Sequence, residues 1–333
     1  MLLRSLARTL TPSVRGFSTS TPRMTKVAVV QLRSTNNVQD NLARSDKVIR
    51  EAVAAGAKAC FLPEASDYIA ATADETRNLA QPLSQHEYAL GLRKLAKELG
   101  VVIAAGIHDL PEDPQGDDRV QNTQVLIGTD GELLADYNKL HLFDVVLPGT
   151  PGPNGEQRMK RTGESDRIRP GQEVVPPIDV PGLGKVGLEI CYDLRFPELH
   201  IILTRLGAQI LTFPSAFTVK TGRDHWATLC YQVYVLAATQ YGLHNPGKSG
   251  RTSWGEALAF DPWGRQLGRL RSMGDGGDEA EINAIYDTGG EYFICDVDVN
   301  NVGEVKKQLP LADQKRADIY GVVGKEVPKK PIE

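Results

Sequence analysis

The sequence predicts an α/β layered fold, and two observations predict it: short β-branched runs alternate with helical stretches, and several of those runs stop at a turn-forming or reactive side chain. Thr25 to Leu32 contains Val27-Ala28-Val29-Val30, an unbroken apolar run suited to a buried strand. Residues 38 to 55 read as an amphipathic helix. Cys60-Phe61-Leu62 is the next strand, stopped by Pro63, which has no amide hydrogen for the ladder. The spacing predicts a helix over 87 to 99 with Gly100 as a left-handed C-cap, then a strand over Val101 to Ile107. Asp109 to Asp118 is a polar loop. Gln121 to Ile127 and Leu133 to Asn138 flank Thr129-Asp130-Gly131, a hairpin turn with glycine where positive φ is needed. Val145 to Gln172, rich in Gly, Pro and charge, reads as a long loop of the kind that covers active sites. Val186 to Ile190 and Gln209 to Phe213 are strands around a helix over Phe196 to Leu206. Residues 271 to 290, with Gly and acidic residues, read as a surface loop.

The 333 residues, 41% apolar and 24% charged, describe an ordinary globular chain able to bury a large core. A net charge of -4 argues against a nucleic-acid partner, because phosphate binding needs a concentrated basic face. No apolar run approaches the roughly 20 residues that span a bilayer, so no membrane role is expected. Cysteines 60, 191, 230 and 295 show neither disulfide nor CxxC metal spacing, which suits reduced thiols and leaves room for a nucleophile among them.

Residues 1 to 23 carry Arg4, Arg8, Arg15 and Arg23, many hydroxyl side chains and no acid, a mitochondrial transit-peptide composition. Leu2, Leu3, Leu6 and Leu10 share one helical face ahead of Pro12. The expected organisation is an import address over 1–23 and a catalytic domain over 24–333. Initiation at Met24 would give a cytosolic form.

Three segments place a reactive side chain where an apolar strand stops. Glu64 follows Phe61-Leu62-Pro63, Lys139 follows Leu133 to Asn138, and Cys191 follows Val186 to Ile190. Strand ends in layered α/β folds are where sites converge. Singly, the Glu or Lys would be solvated and the Cys a small core hydrophobe; together they form a candidate catalytic set. Pro197 and Glu198 start a helix just after Cys191. A thiol ahead of a helix N-terminus is expected to favour thiolate, with the Tyr192 N–H as an oxyanion donor. The six histidines, at 86, 108, 141, 200, 225 and 244, do not form a Cys-His block; His141, two residues from Lys139, is expected to make structural hydrogen bonds.

Phe61-Leu62-Pro63-Glu64-Ala65, Tyr137-Asn138-Lys139-Leu140-His141-Leu142-Phe143-Asp144 and Cys191-Tyr192-Asp193-Leu194-Arg195-Phe196-Pro197-Glu198 resemble the three catalytic blocks of the nitrilase superfamily, in that family's order. The likeness runs from Thr25 to Tyr320 and is most similar to the Nit branch, which includes deaminated glutathione amidase and ω-amidase. The resemblance implies a four-layer αββα sandwich that pairs into a homodimer or higher oligomer. It implies that Cys191 attacks an amide carbon, Glu64 is the general base, Lys139 stabilises the oxyanion, and Glu164 orients Lys139 and substrate. No metal or organic cofactor is implied.

Pro214-Ser215-Ala216-Phe217-Thr218, Thr221-Gly222 and His225-Trp226 resemble the block that walls the pocket in Nit enzymes. The substrate is expected to be a small-molecule amide, with Arg195 forking onto a distal carboxylate, Thr221 assisting and Phe217 packing on the carbon chain. The implied reaction is hydrolysis of deaminated glutathione through a thioester, releasing ammonia, as metabolite repair. The alternatives are an ω-amidase acting on α-ketoglutaramate, a nitrile- or carbamoyl-hydrolysing enzyme, and an inactivated scaffold that binds a partner. Two departures from the family pattern stand out. A helix after Leu229 is shorter by roughly two turns, on the order of 10 Å, and Glu256 stands where relatives often carry His or Asp.

Overall fold

The computed structural model describes residues 24–111, 116–117, 119–148, 159–219, 222, 233–248 and 250–308. The expected address at 1–23, the shortened helix after Leu229 and the closing motifs from Pro310 lie outside the described residues, as do Thr221, His225 and Trp226.

One sheet is built on β1 (Thr25–Leu32), with β2 (Ala59–Phe61), β3 (Val102–Asp109), β4 (Val120–Ile127) and β5 (Leu133–Asn138) following beside it in that order. A small antiparallel pair, β6 (Asp144–Pro148) with β7 (Met159–Gly163), comes next, and the short β8 (Ile168–Arg169) pairs with β4. The second sheet holds β9 (Ile178–Val180), β10 (Gly184–Leu188), β11 (Ile210–Thr212) and β12 (Tyr234–Ala237). The chain then crosses back to the first sheet with β13 (Thr239–Leu243) and β14 (Thr252–Trp254), and returns to the second with β15 (Leu258–Phe260) and β16 (Gln266–Arg269). Finally β17 (Gly290–Val297) runs antiparallel along the whole of β1.

Period-two alternation turns these strands into layers. Val27 and Val29 of β1 face a core shared with Val186 and Leu188 of β10, and Gln124 of β4 bonds Thr212 of β11 across the gap, so the two sheets pack face to face. Ala28 and Val30 point the other way, onto Val48 and Ile49 of α1 (Val38–Ala54) and, past the short α2 (Ala73–Leu79), onto Leu92 and Leu95 of α3 (Glu87–Leu99). Leu203 of α4 (Pro197–Arg205) packs with Leu211 of β11 over Gly187, on the face of the second sheet away from the first, with Leu199 in the same cluster, and His200 of α4 sets its ring edge-on to Phe213. The order helix, sheet, sheet, helix is the αββα sandwich that the sequence resemblance implied. Helix ends follow local chemistry: the Asn37 side chain accepts from the Asp40 N–H, and Gly100 takes the left-handed C-cap at φ 61°.

Two loop expectations are corrected. Within 271 to 290 the chain forms α5 (Glu279–Thr288), capped by Asp278 accepting from the Glu281 N–H and anchored by buried Ile282 and Tyr286. The preceding glycines hid a helix whose acidic first turn suits its dipole. Within Val145 to Gln172 the chain builds β6, β7, a 3-10 turn at Glu164–Asp166 and β8, so this stretch is a folded flap rather than a loop. After β17 the chain ends its described course in α6 (Val299–Gln308).

Topology brings the strand ends together. Strands β1, β2 and β3 are parallel, β4 reverses and β5 reverses again, so the C-terminal ends of β2 and β5 share one edge of the first sheet. In the second sheet β10, β11 and β12 are parallel. The residues just past β2, β5 and β10 are those the sequence singled out.

Candidate active site

Glu64 sits on a turn that the fold fixes from several sides. Pairing with β3 continues past β2: the Leu62 N–H donates to Ala104 O, the Gly106 N–H to Pro63 O, and the Ser66 N–H to Gly106 O. Gly106 is required there, because a Cβ would stand 2.6 Å from the Glu64 Cα. Gln240 Nε2 donates to the Glu64 and Ala65 carbonyls, and Ala65 takes a positive φ of 55°, a strained value for a residue with a side chain. Beneath the turn, buried Asp67 accepts from the Tyr68 and His108 N–H groups and pairs with the His108 ring. Although burial opposes its charge, His108 and His86 hold the Asp67 carboxyl well below the usual carboxylate range.

Lys139 follows β5, held by its N–H donating to Asn122 O and its carbonyl accepting from the Gly171 N–H. Its ammonium, 2% exposed, donates to Glu64 Oε1 at 2.9 Å and to both Glu164 oxygens at 3.0 Å. Burial works against that charge, but Glu164, Glu64 and Cys191 outweigh it and hold Lys139 well above its ordinary value. The ammonium is therefore a fixed cation. Glu164, brought in by the 3-10 turn after β7, also accepts from the Phe143 N–H at 2.7 Å. Asn122 of β4 ties the cluster by donating to Glu64 Oε1 at 2.8 Å and to Glu164 Oε1 at 3.2 Å.

Cys191 opens a 3-10 turn, Cys191–Arg195, and has a positive φ of 44°. Its N–H donates to Pro214 O and the Asp193 N–H to Ile190 O. Its thiol stands beside the Glu64 carboxylate and the Ala216 backbone, close enough for each to act on it. The expectation of a resting thiolate is corrected: burial, reinforced by the Glu64 charge, pushes the Cys191 thiol well above its ordinary value, with Lys139 only partly opposing. A resting carboxylate beside a resting thiol is the arrangement a general base needs. Glu64 fits this, since Lys139, Asn122 and Cys191 hold it below its ordinary value against the cost of burial.

Asp193 locks the two halves together. Fully buried, it accepts from the Ile190 N–H at 2.9 Å, the Tyr137 hydroxyl at 2.7 Å and the His141 N–H at 3.1 Å, and its Oδ1 meets His141 Nδ1 at 2.7 Å. His141 also stacks on Phe196 with centroids 3.6 Å apart, so its role here is structural, as expected. The Arg195 guanidinium lies 5.7 Å from the Tyr192 ring centroid and 5.8 Å from that of Phe217, which places two of the three expected substrate-binding residues side by side on the Cys191 turn and next to it. Thr221, the third, lies outside the described residues. Glu256 takes a positive φ of 69° and bonds Trp254 Nε1 and Arg269 Nε.

The carbon-nitrogen hydrolase model matches residues 26–307, a stretch that contains every one of these side chains. The chain belongs to the carbon-nitrogen hydrolase family. It is a hydrolase of carbon–nitrogen bonds other than peptide bonds. It is 37% identical over 317 residues to the deaminated glutathione amidase of Bos taurus, covering 92% of this chain and 87% of the relative. The deaminated glutathione amidase of Homo sapiens is 35% identical over 323 residues, covering 94% and 89%. Among solved structures, the C. elegans NitFhit protein superposes with a TM-score of 0.75 at 34% identity, over 89% of this chain and 66% of that longer one. Saccharomyces cerevisiae Nit3, of branch 10 of the nitrilase superfamily, gives 0.69 at 26% identity, over 88% and 97%.

Proposed function

We propose that the chain is an amidase that hydrolyses the γ-amide of deaminated glutathione through a thioester on Cys191. The observation that carries the mechanism is the buried Lys139 ammonium held between Glu64 and Glu164, with the Cys191 thiol beside Glu64. Glu64 takes the thiol proton as Sγ adds to the amide carbon. The oxyanion forms against the Lys139 ammonium and the Tyr192 N–H, donors fixed before the reaction begins. The proton on Glu64 passes to the departing nitrogen, the C–N bond breaks, and the thioester remains. Glu64 then takes a proton from water, hydroxide adds to the thioester, and the acid leaves while the thiol is restored. Glu164 keeps Lys139 aimed at the oxyanion.

Ammonia is the leaving group only for a primary amide such as α-ketoglutaramate. In deaminated glutathione the γ-amide nitrogen belongs to the cysteinyl residue, so cysteinylglycine leaves instead. The names of the relatives support this substrate, and Arg195 between Tyr192 and Phe217 supports an acidic one. The test is release of cysteinylglycine from deaminated glutathione and of ammonia from α-ketoglutaramate, by the full chain and by Cys191→Ala. Preference for the first, lost in the variant, is the expected result; preference for the second makes the chain an ω-amidase, and no release from either overturns both. The same reading includes mitochondrial import through residues 1–23, with initiation at Met24 giving a cytosolic form, and a homodimer or higher homo-oligomer. Imaging of fusions with and without the first 23 residues, and mass by sedimentation in the ultracentrifuge, check these.

A further inference from the structure

One ionic pair in the nucleophile's support has no part in the mechanism above. Glu189 follows β10, two residues before Cys191, and His200 lies on α4, which begins directly after the Cys191–Arg195 turn. Both side chains are 0% exposed and meet through His200 Nδ1 and Glu189 Oε2. His200 Nε2 reaches back to Leu194 O at 3.2 Å, inside the turn, and its ring stands edge-on to Phe213. Glu189 Oε1 is buried with no hydrogen-bond partner among the described residues. The pair thus bridges the strand before the nucleophile to the helix after it, with one arm on the turn itself.

A carboxylate this deep cannot stand as a lone charge. Burial pushes Glu189 up to about 7, with Asp193 reinforcing and His200 opposing, and Glu189 raises His200 despite the burial that opposes it. Either arrangement of the proton, on the carboxyl or on the imidazole, leaves the pair neutral. Its other ionisable neighbours are Asp193 from the turn and Tyr137 from β5, with His141 on the far side of Asp193. None of these supplies a fixed cation, so removing the shared proton would leave an uncompensated negative charge next to buried Asp193.

We propose that Glu189 and His200 are positioning residues that share one proton as a neutral buried clamp on the Cys191 turn, and that alkaline conditions open the clamp by removing it. The proposal rests on Cys191 being the nucleophile. The test is the rate of iodoacetamide alkylation of Cys191, read by peptide mass in the full chain, since it needs no substrate. Between about pH 7 and about pH 10, the parent rate should rise and then fall short of simple thiolate titration. Glu189→Gln, whose amide cannot release the proton, should react about tenfold more slowly near neutral pH. That gap should close or invert in alkali. His200→Gln provides the same comparison if Glu189→Gln melts below the assay temperature. Curves that stay parallel at a constant ratio, or a parent that follows simple titration, overturn the clamp. A crossing accompanied by no amide turnover leaves the clamp standing and overturns the amidase reading.

Discussion

The two sheets build opposite halves of one site by opposite means. The first sheet supplies Glu64, Lys139 and Asn122, with Glu164 from the flap, as a buried cluster in which the Lys139 ammonium pairs with both carboxylates and the Asn122 amide donates to each. The second supplies Cys191, whose thiol meets burial and a neighbouring carboxylate, and whose backbone, at a positive φ, donates its N–H to Pro214 O. The difference teaches that fixed electrostatics come from pairing charges on sheet edges, while the geometry of Cys191 comes from a strained turn stapled in place by Asp193.

Breaking the charge half should have the largest effect. Lys139→Met leaves Glu64 and Glu164 buried without their cation, so turnover should fall by about 10³-fold and stability by about 3–5 kcal/mol, read by steady-state kinetics and denaturant melts. Breaking the staple is next. Asp193→Asn turns one carboxylate oxygen into an NH2 donor, so either the Tyr137 hydroxyl and Ile190 N–H on one oxygen or the two His141 groups on the other lose their acceptor, and the negative charge is lost. It should lower kcat by about 10- to 100-fold with a smaller change in KM. Gly106→Ala forces a Cβ to within 2.6 Å of the Glu64 Cα and should cost about 1–3 kcal/mol, with kcat falling alongside. Tyr137→Phe, which removes one donor from Asp193, should cost about 1–2 kcal/mol in the same melts.

Acid sharpens the comparison. Glu64 and Asp67 are both held below their ordinary values in the folded chain. Their contribution to stability is therefore full above the unfolded carboxylate range, about pH 4, and is lost as pH falls through the folded values. Denaturant melts at falling pH should show midpoints dropping below about pH 4, and Asp67→Asn should flatten that slope.

Much of the site was legible because three reactive side chains stand where apolar runs stop. The unbroken apolar run of β1, the amphipathic spacing over 38 to 55 and the Gly100 cap were enough to read β1, its first helix and the end of α3. What stayed hidden depends on groups far apart in the chain. Asn122 lies inside a strand, where nothing local says that it bridges two carboxylates. Asp193 reads as one more residue of its block until Tyr137 and His141 close on it across more than 50 positions. The positive φ at Ala65 and Cys191 breaks local preference, so propensity could not suggest it. The protonated resting thiol likewise follows from Glu64 folding against Cys191, not from the turn alone.

The most direct test of the account is to quench the full chain with acid during turnover of deaminated glutathione and map its peptides by mass. The account predicts an acyl adduct on the peptide that carries Cys191, absent from Cys191→Ala, which also releases no cysteinylglycine. An adduct on another residue, or undiminished hydrolysis by Cys191→Ala, would contradict it.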